Sequence, residues 1–364
     1  MDVFSRRTRS FLCCLLQTAL FTVLLRAAPA LAQGAETAGR GGTFVARADT
    51  PLALLYNPAG ATQTAGTVLV ADLGLVSLAG SASTTYVCRP CFLPLVAVTS
   101  DLGRPRRWRL LVGVAAERPF SRDSRTYVVA PPHYPITPRL GVAVRINDRL
   151  SLGVTLQNVF DIAQSCEGPA CTLFGGSLLN LSAQLGVLVR PHERWRLGMS
   201  LRTASNLGLR EGASLPWVLL VGGRYAHPAA GGERFDLELD LAYAARGPRL
   251  YTHPTTMQPV DLAIAHRISP RLGGGLYQPL GPVRLALRAG LFADLDVQRM
   301  IQLQGIPVLL GERVLGVTLG AGLGWSRGMV NLAYALTFTG DVGFGVSPLD
   351  HALTLGATVS LPGR

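Results

Sequence analysis

The sequence contains no lysine, few charged residues and few aromatic residues. All 34 basic residues are arginines, and 15% of the 364 residues are charged, 7% aromatic and 48% apolar. This composition argues against a disordered, collagen-like or solenoid protein. The arginines are spread along the chain and do not cluster with aromatic residues on one face. We therefore expect no binding to nucleic acid in spite of the net charge of +12.

Long apolar runs are also missing after position 30. No such run reaches about 18 residues, which argues against a polytopic helical membrane protein. The beginning of the chain predicts an export signal, because three arginines at 6–9 precede an apolar segment at 11–25 and a small-x-small site at 30–32. We expect residues 1–32 to be a signal peptide cleaved before Gln33, which places the mature chain outside the cytoplasm.

Cysteine is scarce as well. Four of the six cysteines remain after that cleavage, and they form two close pairs. In an oxidising compartment these pairs predict local disulfides, one joining Cys88 to Cys91 and one joining Cys166 to Cys171. A four-cysteine zinc site is the alternative, but the two pairs lie in different loops. We predict no metal and no cofactor.

The main pattern in the sequence is an alternation of apolar residues with small or polar ones at every second position. From Val330 to Thr339 the even positions are apolar, while the odd positions carry Asn, Ala and Thr, which is typical of a strand with one apolar face. The 41 glycines favour strands and turns over long helices. Strands are predicted at 67–78, 93–101, 107–115, 139–146, 150–159, 179–187, 195–203, 214–226, 235–243, 260–279, 282–294, 313–325, 330–339 and 352–361.

The connections between these strands alternate in length. Short turns such as 147–149, 191–194 and 326–328 follow one strand end, whereas long segments such as 117–137 and 295–311 follow the other. Outer-membrane barrels sort their connections in this way, with short turns in the periplasm and long loops outside, and they have an even number of strands. A β-sandwich has no reason to do so. Residues 67–364 are therefore predicted to form an outer-membrane β-barrel.

The alternation also assigns the two faces of the predicted strands. The Leu and Val positions suit a surface that faces lipid, and the other face carries Gly, Ser, Thr and Asn. Charged residues on that second face are predicted to lie in the lumen and to pair across strands: Arg196, Arg202, Asp236, Glu238, Asp240, Arg284 and Arg288. A structural network and a transport pathway both remain open for this set.

Residues 33–66 precede the first strand and form a segment of their own. It contains glycine-rich turns, an apolar helix candidate at 51–56 and the turn Asn57-Pro58-Ala59-Gly60. The runs 38–49 and 54–60 resemble the N-terminal hatch signature of the FadL/TodX-type outer-membrane transporters of long-chain fatty acids and hydrocarbons. The residues that carry this resemblance are Gly39, Gly41, Gly42, Phe44, Asn57, Pro58, Ala59 and Gly60.

The resemblance implies an all-β fold, a transmembrane antiparallel β-barrel of about 14 strands with residues 33–66 as a hatch inside it. In that family a hydrophobic ligand docks among the extracellular loops, passes to a pocket at the hatch and leaves laterally through the barrel wall. We expect the same of this chain, with a hatch role for the eight residues named above.

Two predicted loops are more apolar than loops in water usually are. They predict a docking place for an apolar ligand, with the alternative that they fold together as a lid. The residues concerned are Tyr127, Val129, Tyr134, Ile301, Leu303, Val308 and Leu309. Arg122, Arg125 and Arg299 are candidates for the counter-ion of a carboxylate ligand.

The sequence therefore predicts a channel of a Gram-negative outer membrane that takes up hydrophobic small molecules by a hatch-gated route with lateral release. The alternative is a barrel of the same type that transports nothing and serves as a docking or shuttle platform for exported proteins. We do not expect an enzyme, because the six histidines show no repeated spacing and no serine-containing elbow. We expect a monomer that contacts outer-membrane lipid and lipopolysaccharide.

Overall fold

A computed structural model of the chain describes most of the residues after position 33. The described ranges are 34–77, 91–103, 107–116, 133–158, 160–167, 170–175, 181–203, 217–229, 232–245, 249–252, 259–262, 266–297, 299–303, 306–310, 312–341, 345–346 and 350–361.

Twenty-one strands are found in these ranges. In chain order they are β1 (Thr67–Ser77), β2 (Cys91–Asp101), β3 (Trp108–Ala116), β4 (His133–Arg145), β5 (Leu150–Asn158), β6 (Phe160–Glu167), β7 (Ala170–Gly175), β8 (Leu181–His192), β9 (Trp195–Arg202), β10 (Trp217–Ala229), β11 (Gly232–Ala245), β12 (Arg249–Thr252), β13 (Pro259–Leu262), β14 (His266–Leu280), β15 (Val283–Val297), β16 (Arg299–Leu303), β17 (Ile306–Leu310), β18 (Glu312–Trp325), β19 (Gly328–Asp341), β20 (Gly345–Val346) and β21 (Asp350–Leu361).

Fourteen of the described strands pair in one closed antiparallel ring. Going round, β1 to β5 are followed by β8 to β11, and then by β14, β15, β18, β19 and β21. The first and last strands close the ring, with Thr67 opposite Leu361 and Ser77 opposite His351. Each predicted strand overlaps one strand of the ring, so the predicted antiparallel barrel of fourteen strands is confirmed.

Apart from β13, the remaining described strands lie within connections that were predicted as loops. The pairs β6–β7, β12–β13 and β16–β17 are short hairpins, and β20 pairs with the end of β19. The predicted strand at 260–279 is in fact divided, because Pro259–Leu262 pairs with β12 and the ring strand β14 begins at His266. Apolar loop residues such as those at 306–310 thus have strand partners of their own.

The ring has an apolar outer face and a polar inner face. Outward leucines expose more than half of their surface, among them Leu156 at 57%, Leu239 at 61% and Leu319 at 60%. Their luminal neighbours along the same strands, such as Gln157 and Glu238, are buried. A band of exposed Leu and Val around a closed barrel is the surface that lipid requires.

Within the described residues, three short helices precede β1. They are α1 (Ala35–Ala38), α2 (Ala53–Tyr56) and a 3-10 helix over Pro58–Gln63. Asn57 separates the last two, because its extended backbone ends α2 and its side-chain oxygen accepts the N–H of Ala59 at 3.2 Å. Pro58 then supplies the fixed φ that suits a first helical position. In the described residues we find no helix with the length and apolarity needed to cross a membrane.

Candidate functional site

Residues 34–66, called the N-terminal segment below, lie against the inner face of the ring. Every residue from 34 to 48 is buried. The segment contacts strands on all sides, with α1 against β18, β19 and β21 and the 3-10 helix against β3, β4, β5 and β8. The polar inner face of the barrel therefore meets protein along much of its circumference.

Glycines line the wall wherever the backbone of the N-terminal segment touches it. A Cβ placed on Gly320 would lie 2.9 Å from the Cα of Gly39, which is closer than real Cβ contacts. Similar close approaches to the backbone of the segment occur at Gly153, Gly198, Gly273 and Gly290, whereas a Cβ on Gly186 would meet the Asn57 side chain and one on Gly222 would meet the Asp240 carboxylate. Many glycines on the luminal face are thus explained by close packing of the strand backbone against the backbone of the N-terminal segment. The alternation in the sequence did not reveal this packing.

Strand β11 holds the N-terminal segment through three carboxylates at every second position. Asp240 Oδ2 accepts the N–H groups of Phe44 and Val45 at 2.7 and 3.0 Å. Glu238 Oε1 accepts those of Ala46 and Arg47, both at 3.0 Å. Four consecutive backbone donors, which would otherwise be buried without partners, are thereby satisfied by two carboxylates.

Asp236, the third carboxylate of β11, is shared by three arginines. Arg40 binds it with two nitrogens, each at 2.9 Å. Arg47 Nη1 and Arg224 Nη2 each lie 2.8 Å from its Oδ2. All four side chains are buried to nine tenths or more. Charges this far from water are stable only when paired, so Asp236 fixes two points of the N-terminal segment to one point of the wall.

Arg47 connects this cluster to two further acids. Its Nη2 lies 3.0 Å from Glu36 Oε1 and its Nε lies 3.0 Å from Asp49 Oδ1. Burial alone would raise the pKa of the Asp49 carboxyl, but Arg47, Arg224 and Arg196 outweigh it and hold that pKa below its usual value. Burial likewise opposes the charge on Arg40, yet Tyr277 and Asp236 hold the pKa of Arg40 above its usual range. Both groups are therefore charged at neutral pH.

The wall on the opposite side of the ring carries an apolar cluster. Val70, Leu95, Ala97, Leu111, Ala115 and Ala143, all from β1 to β4, pack against Phe44, Ala48, Leu52, Ala53, Leu54, Tyr56 and Ala61 of the N-terminal segment. Arginines on this side bind backbone carbonyls of the segment, as Arg139 does with Leu54 at 3.1 Å. The segment thus has one face held by ion pairs and another face held by apolar contact.

The predicted hatch residues take several positions in this interface. Gly41 and Gly42 have φ values of 70° and 81°, and the Gly41 N–H donates to Thr318 Oγ1 at 2.8 Å. Phe44 is completely buried and packs edge-on against Tyr56. Asn57 Nδ2 donates to the carbonyls of Val45 and Val187 at 3.0 and 2.9 Å. The residues that resemble the hatch signature therefore lie at turns and crossings of the N-terminal segment.

The predicted lumen charges are all found on the inner face. Besides the three acids of β11, Arg288 bonds Asn331 at 2.9 Å and lies 3.5 Å from Glu36. Arg284 covers the ring of Tyr277 at 4.5 Å, and Arg196 lies 4.0 Å from Asp49. Arg202 is buried. The sequence did not single out Arg40, Arg47, Arg224 or Glu36 as members of the cluster, although the alternation along β10 places Arg224 on the luminal face.

The other predicted residues belong to the long connections and to the strand ends beside them. Cys88, Arg122, Arg125, Tyr127 and Val129 lie outside the described residues. For Tyr134, Arg299, Ile301, Leu303, Val308 and Leu309 the backbone lies in β4, β16 and β17. Cys91 begins β2, and the β6–β7 register places Cys166 opposite Cys171. Both disulfides and the docking role of the loops stay predictions.

Asn57 offers a direct test of how tightly the N-terminal segment is held. Asn57→Ala removes three hydrogen bonds from a completely buried residue. We expect local opening of the segment to become easier by about 3 kcal/mol, so trypsin should cut at Arg47 on the order of a hundred-fold faster. Mass spectrometry of a timed digest measures this rate. The rate should stay unchanged in Asn147→Ala, which alters an exposed turn, and equal rates in both variants would contradict the assignment.

Comparison with known proteins extends these observations. No protein-family model and no curated protein sequence matches the chain. Among solved structures, the monoaromatic hydrocarbon channel CymD is similar with a TM-score of 0.65 and 14% identity, covering 90% of this chain and 97% of that one. The toluene transporter TodX of Pseudomonas putida has a TM-score of 0.60 and 14% identity over 92% and 100% of the two chains. A FadL homologue of Pseudomonas aeruginosa has a TM-score of 0.63 and 12% identity, covering 92% of this chain and 99% of that one. The chain shares the fold of these FadL-type barrels.

Proposed function

We propose that this protein takes up hydrophobic small molecules, long-chain fatty acids or hydrocarbons, across the outer membrane of a Gram-negative bacterium. Residues 33–66 act as a hatch, and the ligand leaves laterally through the barrel wall. The chain is exported with residues 1–32 as signal peptide, is cleaved before Gln33, and works as a monomer in contact with outer-membrane lipid and lipopolysaccharide. The apolar loops at 117–137 and 295–311 receive the ligand outside.

The proposal rests on the different ways in which the two sides of the N-terminal segment are attached to the barrel wall. Ion pairs to Asp236 on β11 anchor one side, whereas the side toward β1–β4 is held by an apolar cluster and by arginines that bind backbone carbonyls. An apolar ligand can separate an apolar interface at a small cost in free energy, because the ligand replaces the contacts that it breaks. Separating the ion pairs would leave buried charges without partners. A hydrophobic molecule therefore has its easiest passage along β1–β4.

The similar structures support the same substrate class. One is a monoaromatic hydrocarbon channel, one is a toluene transporter and a third is a FadL homologue. A lumen that is occupied by a chain segment is also unsuited to free passage of water-soluble solutes, which distinguishes the proposal from an open porin.

A bulkier side chain on the apolar wall tests the proposed passage. Ala97 on β2 is luminal and 2% exposed, so Ala97→Phe fills space on β1–β4 without adding polarity. We expect uptake of radiolabelled oleate or toluene by cells that produce the variant to fall about ten-fold. The control is Val96→Phe, the neighbouring residue on the lipid face, which should transport like the wild type. Unimpaired uptake by a correctly folded Ala97→Phe barrel would place the passage elsewhere.

A further inference from the structure

Three arginines line a cleft beside the end of the N-terminal segment, and we call it the arginine cleft. Arg145 ends β4, Arg149 lies in the short turn before β5, and Arg190 lies near the end of β8. The cleft holds about 250 Å³ of space, open solvent included, and Leu188 is the one apolar residue among the described residues that line it. A space of this size and polarity suits a small polar group and not the long apolar molecule that the barrel is proposed to carry.

The arginines of the cleft are not neutralised by acids. Within the part of the chain that the structure describes, no carboxylate forms an ion pair with Arg145, Arg149 or Arg190. Arg145 Nη2 donates instead to the carbonyl of Thr62. Asp148 also lines the cleft, which therefore carries three positive charges and one negative charge. Because Arg145 and Arg190 are half-buried, this excess of positive charge lies in a partly enclosed space and attracts anions.

The N-terminal segment contributes part of the lining. Thr62 and Gln63, at the end of the 3-10 helix, line the cleft together with Ser151 of β5. Thr62 Oγ1 donates to Ser151 Oγ at 2.8 Å, and Gln63 Nε2 donates to the carbonyl of Arg47. Withdrawal of the segment from the lumen therefore removes one side of the cleft. An anion bound there contacts the segment and the wall at the same time.

We propose that the arginine cleft binds a phosphate group and thereby joins the N-terminal segment to the barrel wall. Guanidinium groups bind phosphate oxygens through paired, charge-assisted hydrogen bonds. A phosphate offers more acceptor oxygens than the two of a carboxylate, so it can bind three guanidinium groups at once. In the proposed membrane topology the short turns face the periplasm. The phosphate there belongs either to the headgroup of an inner-leaflet phospholipid or to a small phosphate in solution.

A bound phosphate is expected to hold the segment in place. The cleft is complete only while Thr62 and Gln63 lie beside Arg145, so binding favours the docked segment by linkage. At a phosphate concentration ten times the Kd, the released segment becomes about ten-fold less populated. Trypsin should then cut at Arg47 about ten-fold more slowly than in a chloride solution of the same ionic strength.

Calorimetric titration of the detergent-purified protein with inorganic phosphate measures the binding itself. We expect a Kd of about 1 mM or lower. Arg190→Gln should weaken binding at least about ten-fold and abolish the protection from trypsin, because it removes one charged donor pair. The matched control is Arg327→Gln, which removes the same charge from an exposed residue of another short turn and should behave like the wild type.

Titrations with dihexanoyl phosphatidylglycerol and with acetate identify the source of the anion. Tighter binding of the lipid than of inorganic phosphate assigns the cleft to a phospholipid headgroup, and the reverse order assigns it to a small phosphate. The inference is overturned by absence of binding, by acetate binding as tightly as phosphate, by equal weakening in both variants, or by binding that leaves digestion at Arg47 unchanged. Hydrophobe uptake plays no part in these measurements, so a failure of the proposed transport would not alter their result.

Discussion

Replacing Asp236 by alanine is expected to release the N-terminal segment from the barrel. Asp236 is the carboxylate shared by Arg40, Arg47 and Arg224, at distances of 2.8 to 2.9 Å. Without it, three buried guanidinium groups lose their common partner and repel one another. Removing one member of a buried ion pair typically destabilises by about 3 to 5 kcal/mol, and this carboxylate serves three pairs. We expect the loss to fall on docking of the segment, because the ring strands keep their own hydrogen bonds.

Trypsin provides the first readout of Asp236→Ala. The protease is too large to enter the barrel, so it cuts after Arg40 or Arg47 only when the segment has left the lumen. We expect rapid cutting at both residues in the variant and slow cutting in the wild type, with the ring still migrating as a folded barrel before heating. In planar bilayers the variant should also conduct ions several-fold better. Digestion that matches the wild type would show that Asp236 does not anchor the segment.

Gly222→Leu is expected to displace the segment by crowding. The added Cβ would meet the Asp240 carboxylate and would lie 3.0 Å from Val45 Cβ, and leucine carries three further carbons. Asp240 is also the acceptor for the Phe44 and Val45 N–H groups, so the intruding side chain separates both hydrogen bonds. Overpacking alone costs about 1 to 3 kcal/mol, and the lost hydrogen bonds to a charged acceptor add a similar amount.

The next residue along the same strand is the matched control. A Cβ on Gly223 points outward and meets only Leu197 Cδ2, at an ordinary 3.6 Å. Gly223→Leu therefore adds an apolar side chain to the lipid face and should resemble the wild type in digestion and in conductance. If both variants release the segment, glycine is required by the strand itself and not by the segment packed on it, and if neither does, crowding at Gly222 does not displace the segment.

The ring strands were predictable because each one obeys a local rule. A strand with lipid on one side and polar protein on the other must alternate residue by residue, and Val330 to Phe338 shows this without reference to any other part of the chain. The hairpins at 299–310 were not predicted, because short apolar strands in a loop lack that two-sided environment. Their pairing depends on a partner a few residues away and not on the membrane.

The luminal cluster could not be predicted from the sequence in the same way. Arg40 and Asp236 are separated by 196 residues and meet only because the ring closes around the N-terminal segment. The acids of β11 were recognisable as luminal, but the hydrogen-bond donors to Asp240 and Glu238 are backbone N–H groups, which carry no sequence signature. From the sequence alone, Gly222 and Gly290 would be interpreted as residues that weaken a strand. The N-terminal segment that packs on them explains why glycine is present there.

Hydrophobe uptake by intact cells tests the central claim most directly. Gram-negative cells that lack their own hydrophobe channels would be compared with and without this protein, using radiolabelled oleate, toluene and a small sugar. We expect the protein to raise oleate or toluene uptake several-fold, to leave sugar uptake unchanged, and to lose the effect in Ala97→Phe but not in Val96→Phe. Hydrophobe uptake equal to that of cells without the protein would contradict transport and would favour a barrel that serves as a docking platform for exported proteins.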